Sequence, residues 1–557
     1  MKHYLAAFRT LFTSEYKIWV PLIGGVSIVL LYLSLHNTEI GLLQLHSIDE
    51  YVFHGSVLYM YHSLIRLHLA GMFGYGFYQY GFIYFFLNLL ACLPGLVFHQ
   101  TWLTIVVPRL VTGFFAVASL LVIYRFARLY LEKIPAVLFA TFFITMPAFW
   151  YNATWFHPDW VMTFFLLATA FCLARDYGHF GRHFYAGIIC YGLAVAFKYQ
   201  AITFFPLIGL YIFYDLGTLR IPTQLRAKLK TFLVSLASIG SIFLIANPYI
   251  LHPMGWRAFS TSFVQNMLSN ATNHGNSGVV SVSEKISEAI TSYYCNILFV
   301  FLLLVATTWL VTRYRTDRER SIFIMLAANF LVNIAYLLFF VNKAWQVYYL
   351  PVITTGLLVT LAFIRHIPPK RLTVYLLCAL LIQIVSFNTT YITTLTMSRD
   401  KAAAPDFITY SPQEQLVLQN FIHHTLAGRV PPTAIVLISA YTPFQFEAVG
   451  LPFENVNTIY GALDRSAFDA DAYLAGQRAY WGSLKTDAEL MKTFKPADFI
   501  ILRKDAPYID TTRITGIVDQ KSYYSAHDLI LGLYHGAYPY TLLGENPYVV
   551  IFAAIHN

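Results

Sequence analysis

The chain has 557 residues, of which 57% are hydrophobic, 17% aromatic and 12% charged, and its mean hydropathy is +0.57. A soluble globular protein carries about 25% charged residues, so the composition excludes one and points to a polytopic membrane protein. The formal net charge of +9 sits in short Lys and Arg clusters between apolar runs, which is how topology is encoded, and no nucleic-acid partner is expected.

The first apolar run follows Lys17 and reads WVPLIGGVSIVLLYLSL. It is long enough to span and lacks a small-residue cleavage site, so it reads as an uncleaved first helix, with Lys2, Arg9 and Lys17 holding the N-terminus in the cytoplasm. A long first outer loop, about 36–105, comes next and carries Ser47-Ile48-Asp49-Glu50-Tyr51. Within it, Tyr80 to Phe98 is apolar enough to count as a span. If it crossed, every later basic cluster would lie outside, so an amphipathic or re-entrant helix on the outer face is expected there.

Ten further spans are expected near 106–128, 134–151, 159–175, 184–199, 201–216, 231–248, 292–312, 321–341, 350–365 and 372–392. Counted from a cytoplasmic start, the inner loops then hold Arg125/Arg128/Lys133, Arg175/Arg182, Arg220/Arg226/Lys228/Lys230, Arg313/Arg315/Arg318/Arg320 and Arg365/Lys370/Arg371. Eleven spans leave the C-terminus outside, in the periplasm if the membrane is a bacterial inner membrane, which the short loops and the lack of eukaryotic retention signals favour. The outer loop at about 249–291 is rich in Asn, Gly and Ser and reads as a mobile lid or binding loop.

Beyond Thr393 charges become regular, and β-like runs appear at 434–438, 498–502 and 548–552 with a helical pattern at 411–426 between them. A soluble outer α/β domain over 393–557 is expected, attached to a transmembrane domain over 1–392. Cys92, Cys172, Cys190, Cys295 and Cys378 stand singly in apolar surroundings and read as small core residues.

Four clusters fall on the outer face. Asp49-Glu50 is a carboxylate pair beside the membrane, where a solvated loop pair or a helix N-terminal acid competes with catalysis. His157-Pro158-Asp159 opens the fourth span, where an N-cap is the plainer reading. Arg109, Lys198 and Lys343 sit at outer helix ends, disfavoured by topology; each could snorkel, and together they suit a bound phosphate. Tyr348-Tyr349-Leu350-Pro351 stands alone as an aromatic belt and a helix-starting proline. Asp469-Ala470-Asp471 reads as a solvated turn or helix start, the sequons at Asn152, Asn270 and Asn388 decide nothing, and the chain holds no Walker A, GxSxG or HExxH motif.

In this order, an acid pair in a long first outer loop, Pro108-Arg109-Leu110 opening the second span with Arg125 and Arg128 closing it, His157-Pro158-Asp159, the run Gly192 to Tyr199, and Lys343 to Pro351, the chain resembles the GT-C glycosyltransferases. The resemblance is to the protein O-mannosyltransferase-like family that includes the lipid A aminoarabinose transferases. It covers most of 1–392, and the C-terminal domain matches in position and size only. The resemblance implies Asp49 as the base that deprotonates the acceptor, Glu50 as its support, Asp159 as the acid of the second outer loop, and Arg109 at the opening of the second span.

An outer-face transferase has no access to cytoplasmic sugar nucleotides and must use a sugar carried on a polyprenyl phosphate. The acceptor hydroxyl, on a glycan, lipid or protein, would attack the anomeric carbon with inversion. Arg109, Lys198 or Lys343 would stabilise the departing phosphate, and His157, Tyr348 and Tyr349 would contact substrate. Aromatic residues of the first loop and Trp155-Phe156 would stack on the sugar, while membrane lipids would surround the spans. Some members of the family hold a histidine-bound metal; His157, His252 and His274 lack ligand spacing, so no cofactor is expected with certainty and a divalent metal stays open. A transporter or lipid flippase, a scaffold, and a polymerase or ligase using a polyprenyl-diphosphate donor are the competing readings.

Overall fold

The computed structural model describes residues 16–39, 42–43, 48–69, 71–73, 75–213, 225–272, 279–312, 318–387, 410–431, 433–439, 442–444, 451, 456–459, 497–506, 508–510 and 523–555. Asp469-Ala470-Asp471, His274 and Asn388 lie outside the described residues. Two helices of the first loop, α2 (Ile48–Ile65) and α3 (Phe82–Val97), follow the first helix, α1 (Tyr16–Ser34). Then come α4 (Thr101–Ala127), α5 (Lys133–Ile144), α6 (Pro147–Ala153), α7 (Asp159–Asp176), α8 (Arg182–Phe197) and, after a 3-10 turn at Tyr199–Phe204, α9 (Phe205–Phe213). The helical part continues with α10 (Leu225–Ala246), α11 (Pro253–Thr272), α12 (Ile297–Thr312), α13 (Arg318–Phe339), α14 (Leu350–Leu357) and α15 (Pro369–Ser386).

Among the described residues, five helical stretches are long and apolar enough to cross a membrane: α4, α10, α15, 321–339 and 346–364. Counting the bent pair α5 and α6 as one span makes six, and 19–34, 82–97, 182–197, 199–213 and 297–312 are shorter apolar helices. The expectation of one continuous helix over 134–151 is corrected, because α5 and α6 meet at 65°. Pro147 is the cause: it has no N–H to donate to the preceding turn and disfavours helical backbone at Met146, yet it is well suited to start a new helix.

The bundle is organised around α7, which packs against α4, α8 and α14. Its buried face includes Trp160, Leu166, Leu167, Ala170 and Leu173. Helices α8 and α10 approach closely because residue 192 is glycine; a Cβ there would fall 2.9 Å from Ile242 Cδ1. The two first-loop helices form a separate aromatic core of Phe53, Tyr75, Tyr84 and Phe85 against Phe156, Val161 and Phe197. That core seats α2 against the start of α7 and the end of α8, the ends that carry the functional side chains. The segment 249–291, expected as an outer loop, is helical where described: α11 runs to Thr272, and a capping box at Ser281 and Glu284 starts a further turn.

At the C-terminal end, α16 (Pro412–Leu426) begins at a capping box between Ser411 and Glu414, the arrangement that satisfies the first free N–H groups of a helix. A five-stranded sheet has the order β2 (Val456–Ile459), β1 (Val436–Ser439), β3 (Phe499–Arg503), β7 (Val549–Ala554), β6 (Tyr540–Glu545). Strand β1 is parallel to β2 and β3, whereas β7 is antiparallel to β3 and β6. Alternate residues of the interior strands face α16 through Val436, Ile438, Ile501 and Ile551, and face α17 (Ala526–Tyr534) through Leu437, Ile500, Val550 and Phe552. A two-stranded ribbon, β4 (Tyr508–Asp510) with β5 (Tyr523–Ser525), precedes α17.

Candidate active site

Helix α2 opens with Asp49 and Glu50 in its first turn, where carboxylates suit the positive end of the helix dipole. The two then part company. Glu50 is buried at 1% exposure and forms a bidentate pair with Arg109 of α4, Nε to Oε1 at 2.6 Å and Nη2 to Oε2 at 2.8 Å. The backbone N–H of Phe156 donates to the same carboxylate at 3.0 Å. Arg109 spends its other donors on the carbonyls of Ser34 (3.0 Å), His36 (2.6 Å) and Asn37 (3.3 Å). All five guanidinium N–H groups are therefore committed.

Asp49 keeps 41% of its side chain exposed and faces His157, with Oδ2 3.5 Å from Nε2. The other ring nitrogen, Nδ1, meets Oδ2 of Asp159, whose Oδ1 accepts from Lys198 Nζ at 2.6 Å. Asp49, His157, Asp159 and Lys198 thus form one chain of alternating partners from the exposed carboxylate into the bundle. Trp155 stacks on one side of the imidazole at 4.7 Å and Phe53 at 5.4 Å, and the edge of Tyr80 meets it at 5.1 Å. Burial favours the neutral ring, but the Asp159 carboxylate beside it, opposed by Lys198 and helped by the bonds to Asp159 and Asp49, holds the imidazole above its ordinary range.

Lys198 lies where α8 ends, and its backbone is bridged to Tyr80 of the first loop. That approach demands Gly81: a Cβ there would lie 1.7 Å from the Ala196 carbonyl oxygen. Asn247, after α10, closes the junction by accepting from Phe82 N–H at 2.7 Å. Above Lys198, the ring of Tyr348 lies between two cations, 5.7 Å from Lys198 Nζ and 5.8 Å from Lys343 Nζ. Lys343 donates to Ser269 of α11 at 2.6 Å and sits 4.5 Å from the Trp345 ring. Burial pulls its ammonium down to about 7, while Asp49 draws it back up and Lys198 pushes it further down.

The residues expected to be catalytic, phosphate-binding or substrate-binding do gather in one region, but several take other roles. Glu50 and Asp159, expected as catalytic, are buried at 1% and 0% exposure, Glu50 against Arg109 and Asp159 against His157 and Lys198. Arg109, expected on the donor phosphate, has no donor left for it. His157, expected to contact substrate, is walled in by rings, and Trp155 and Phe156, expected to stack on a sugar, are buried beside it. Tyr349 turns into the bundle core at 1% exposure, because adjacent positions of the 3-10 turn Gln346–Tyr349 point about 120° apart. Tyr348 alone of that pair faces the cations.

Tyr80, Ser269 and Tyr51 join the site through contacts that no sequence pattern announces. Tyr51 reaches the C-terminal region, its hydroxyl donating to Phe444 C=O at 2.6 Å and accepting from Phe444 N–H at 3.0 Å. His252 is exposed before α11 and stacks on Tyr249. Among the described residues, no group of three or more His, Cys, Asp or Glu side chains is placed to hold a metal. Asn152 is buried, in a reciprocal amide pair with Gln346, so that sequon is closed to modification.

No family model and no curated protein matches the chain. Among solved structures it is similar to ArnT from Cupriavidus metallidurans bound to undecaprenyl phosphate, with a TM-score of 0.51 at 13% identity over 96% of this chain and 98% of that one. It is equally similar to that protein in the apo state, with a TM-score of 0.51 at 13% identity over 97% and 99% of the two chains. The chain has the GT-C membrane fold, as the order of its motifs implied.

Proposed function

We propose that the chain is an integral-membrane glycosyltransferase that moves a sugar from a polyprenyl phosphate to an acceptor hydroxyl on the outer face of the membrane. The observation that carries this reading is the division among three neighbouring carboxylates: Glu50 and Asp159 are buried and paired, while Asp49 alone is exposed, at 41% of its side chain. A general base must reach the proton it removes, and Asp49 is the carboxylate so placed. The shared fold with a protein captured on undecaprenyl phosphate supports a lipid-phosphate donor.

In this mechanism the acceptor hydroxyl gives its proton to Asp49 as its oxygen forms a bond to the anomeric carbon. The bond from that carbon to the phosphate oxygen breaks, and its electron pair leaves on the polyprenyl phosphate, which gains a negative charge. A single displacement of this kind inverts the anomeric centre. Lys343 meets the leaving phosphate, with Lys198 behind it and the Tyr348 ring between them. Lys198 is already offset by Asp159, so Lys343 contributes the larger share. In this reading eleven spans place the N-terminus in the cytoplasm and the C-terminal domain in the periplasm of a bacterial inner membrane.

The test compares envelope glycans by mass spectrometry from cells carrying the wild-type chain and an Asp49→Asn variant that inserts equally well. A sugar present only with the wild type supports the transferase and identifies sugar and acceptor together. Identical glycans in both remove Asp49 as the base.

A further inference from the structure

His157 is a buried ionisable group that is not consumed by a simple pair. Its two nitrogens face two carboxylates, Asp49 across 3.5 Å and Asp159 on the other edge. Its faces are covered by Trp155 and Phe53 rings at 4.7 and 5.4 Å. A ring between two carboxylates has use for two N–H donors, which only the imidazolium supplies. Aromatic faces also attract a cation.

Charge balance agrees. With His157 charged, Asp49, His157, Asp159 and Lys198 alternate in sign and sum to zero, and Glu50 with Arg109 sums to zero beside them. With His157 neutral, the buried pair of Asp159 and Lys198 still cancels and the four sum to one negative charge, carried by the partly exposed Asp49, which then lacks the imidazolium as its neighbouring cation.

We propose that His157 is a positioning residue that works as an imidazolium, clamped edge-on between Asp159 and Asp49, and that it holds the Asp49 carboxylate ionised and aimed at the acceptor hydroxyl. Oδ2 of Asp49 is the oxygen that faces the clamp. Asp159 and Lys198 act through His157: Lys198 fixes the Asp159 carboxylate, and Asp159 keeps the ring charged. The other ionisable groups near the ring are Tyr80, edge-on from the first loop, and Lys343, which Asp49 also attracts. The cations Lys198 and Lys343 favour ionised Asp49 and oppose the imidazolium, so the two carboxylates must outweigh them. The consequence for transfer rests on the reading of function above; the clamp itself does not.

The test begins with the purified full chain in detergent and no substrate. An imidazolium stacked on an indole quenches its emission, so the Trp155 signal, isolated by difference against Trp155→Phe, is titrated from about pH 5 to pH 9. We expect quenching at low pH with a midpoint above the ordinary value of about 6.5. In Asp49→Asn the midpoint falls by about half a unit or more, since a carboxylate neighbour has been removed, and in His157→Gln the transition disappears. A missing transition, a midpoint at or below the ordinary value, or one that Asp49→Asn leaves in place overturns the clamp. Should Trp155→Phe not fold, the same midpoint is read from nitrogen-labelled histidine by difference against His157→Gln.

The second arm measures sugar transfer in membranes, using polyprenyl-phosphate sugars extracted from the same cells. His157→Gln keeps an N–H donor but no charge, and is expected to lower kcat about tenfold with donor KM unchanged. The wild-type rate falls as pH rises through the imidazole midpoint, and the variant lacks that fall. An unchanged kcat, or the same pH profile in both, overturns the proposal. A wild-type chain that moves no sugar refutes the transferase reading, while the emission titration still decides the clamp.

Discussion

Arg109 provides the sharpest separation between a scaffold role and a ligand role. It is buried at 1% exposure and makes two bonds to Glu50 and three to the carbonyls of Ser34, His36 and Asn37. Removing one member of a buried ion pair costs about 3–5 kcal/mol, because the other is left charged and unpaired. The stranded carbonyls add about 1 kcal/mol, so Arg109→Gln is expected to destabilise by about 4–6 kcal/mol. Arg109→Lys recovers little, because an ammonium cannot reproduce the planar fork on Glu50. The double variant Glu50→Gln/Arg109→Gln should lose less than the sum of the singles, with a coupling of about 2–3 kcal/mol. The assay is thermal unfolding of the detergent-solubilised chain for the wild type and the three members of the cycle. An Arg109→Gln protein that melts with the wild type but binds undecaprenyl phosphate more weakly would refute this reasoning and return Arg109 to the donor phosphate.

Three further outcomes follow from single contacts. Lys343 is charged below about 7 and loses its charge as pH rises through that value; undecaprenyl phosphate binding should therefore weaken from acid to alkaline pH relative to Lys343→Arg, which stays charged, and parallel profiles would exclude the lysine. Tyr51→Phe deprives Phe444 of both backbone partners and should cost about 1–2 kcal/mol, seen as faster hydrogen exchange at the Phe444 amide; unchanged exchange would show that the contact holds nothing. Gly81→Ala puts a methyl 1.7 Å from the Ala196 carbonyl oxygen and should prevent recovery of folded chain by size-exclusion chromatography, whereas a normal yield would show that the junction of the first loop with α8 can open.

The parts of the fold legible in the sequence are those whose environment is written locally. Strands β1, β3 and β7 are interior and covered on both faces, so they appear as apolar runs, and α16 announces itself through Ser411 and Glu414. Strand β6 lies at the sheet edge with a largely exposed pattern, β2 is a four-residue edge strand, and β4 and β5 are three residues each; edges of that kind carry little apolar signal. In the site, the residue types were legible, but their partners were not. Glu50 meets Arg109 across 59 positions, Asp159 meets Lys198 across 39, and Lys343 meets Ser269 across 74. No spacing rule reaches so far, so three cations that suit a phosphate in the sequence are told apart only when the chain is folded: one paired with Glu50, one with Asp159 and one bonded to Ser269.

The start of α2 shows how a single turn of helix produces that division. Successive helical residues point about 100° apart, so Asp49, Glu50 and Tyr51 face three bodies at once. Glu50 faces inward and is bound by α4 through Arg109 and by the turn before α7 through Phe156 N–H. Tyr51 faces the C-terminal sheet and grips the backbone of Phe444 just beyond β1. Asp49 is left toward His157 and the open side. Two of the three directions are thus spent on fixing the helix, and the third receives a carboxylate whose backbone cannot swing. A base that must meet a hydroxyl within hydrogen-bond reach gains most from such fixing, since its geometry is set before the substrate arrives. On the proposed function, the adjacent acid pair is two functions on one helical turn: Glu50 holds the frame in which Asp49 would work. Exchanging the two acids by the double substitution Asp49→Glu/Glu50→Asp should abolish both functions, the shorter acid failing to reach Arg109 and the longer one overshooting the clamp.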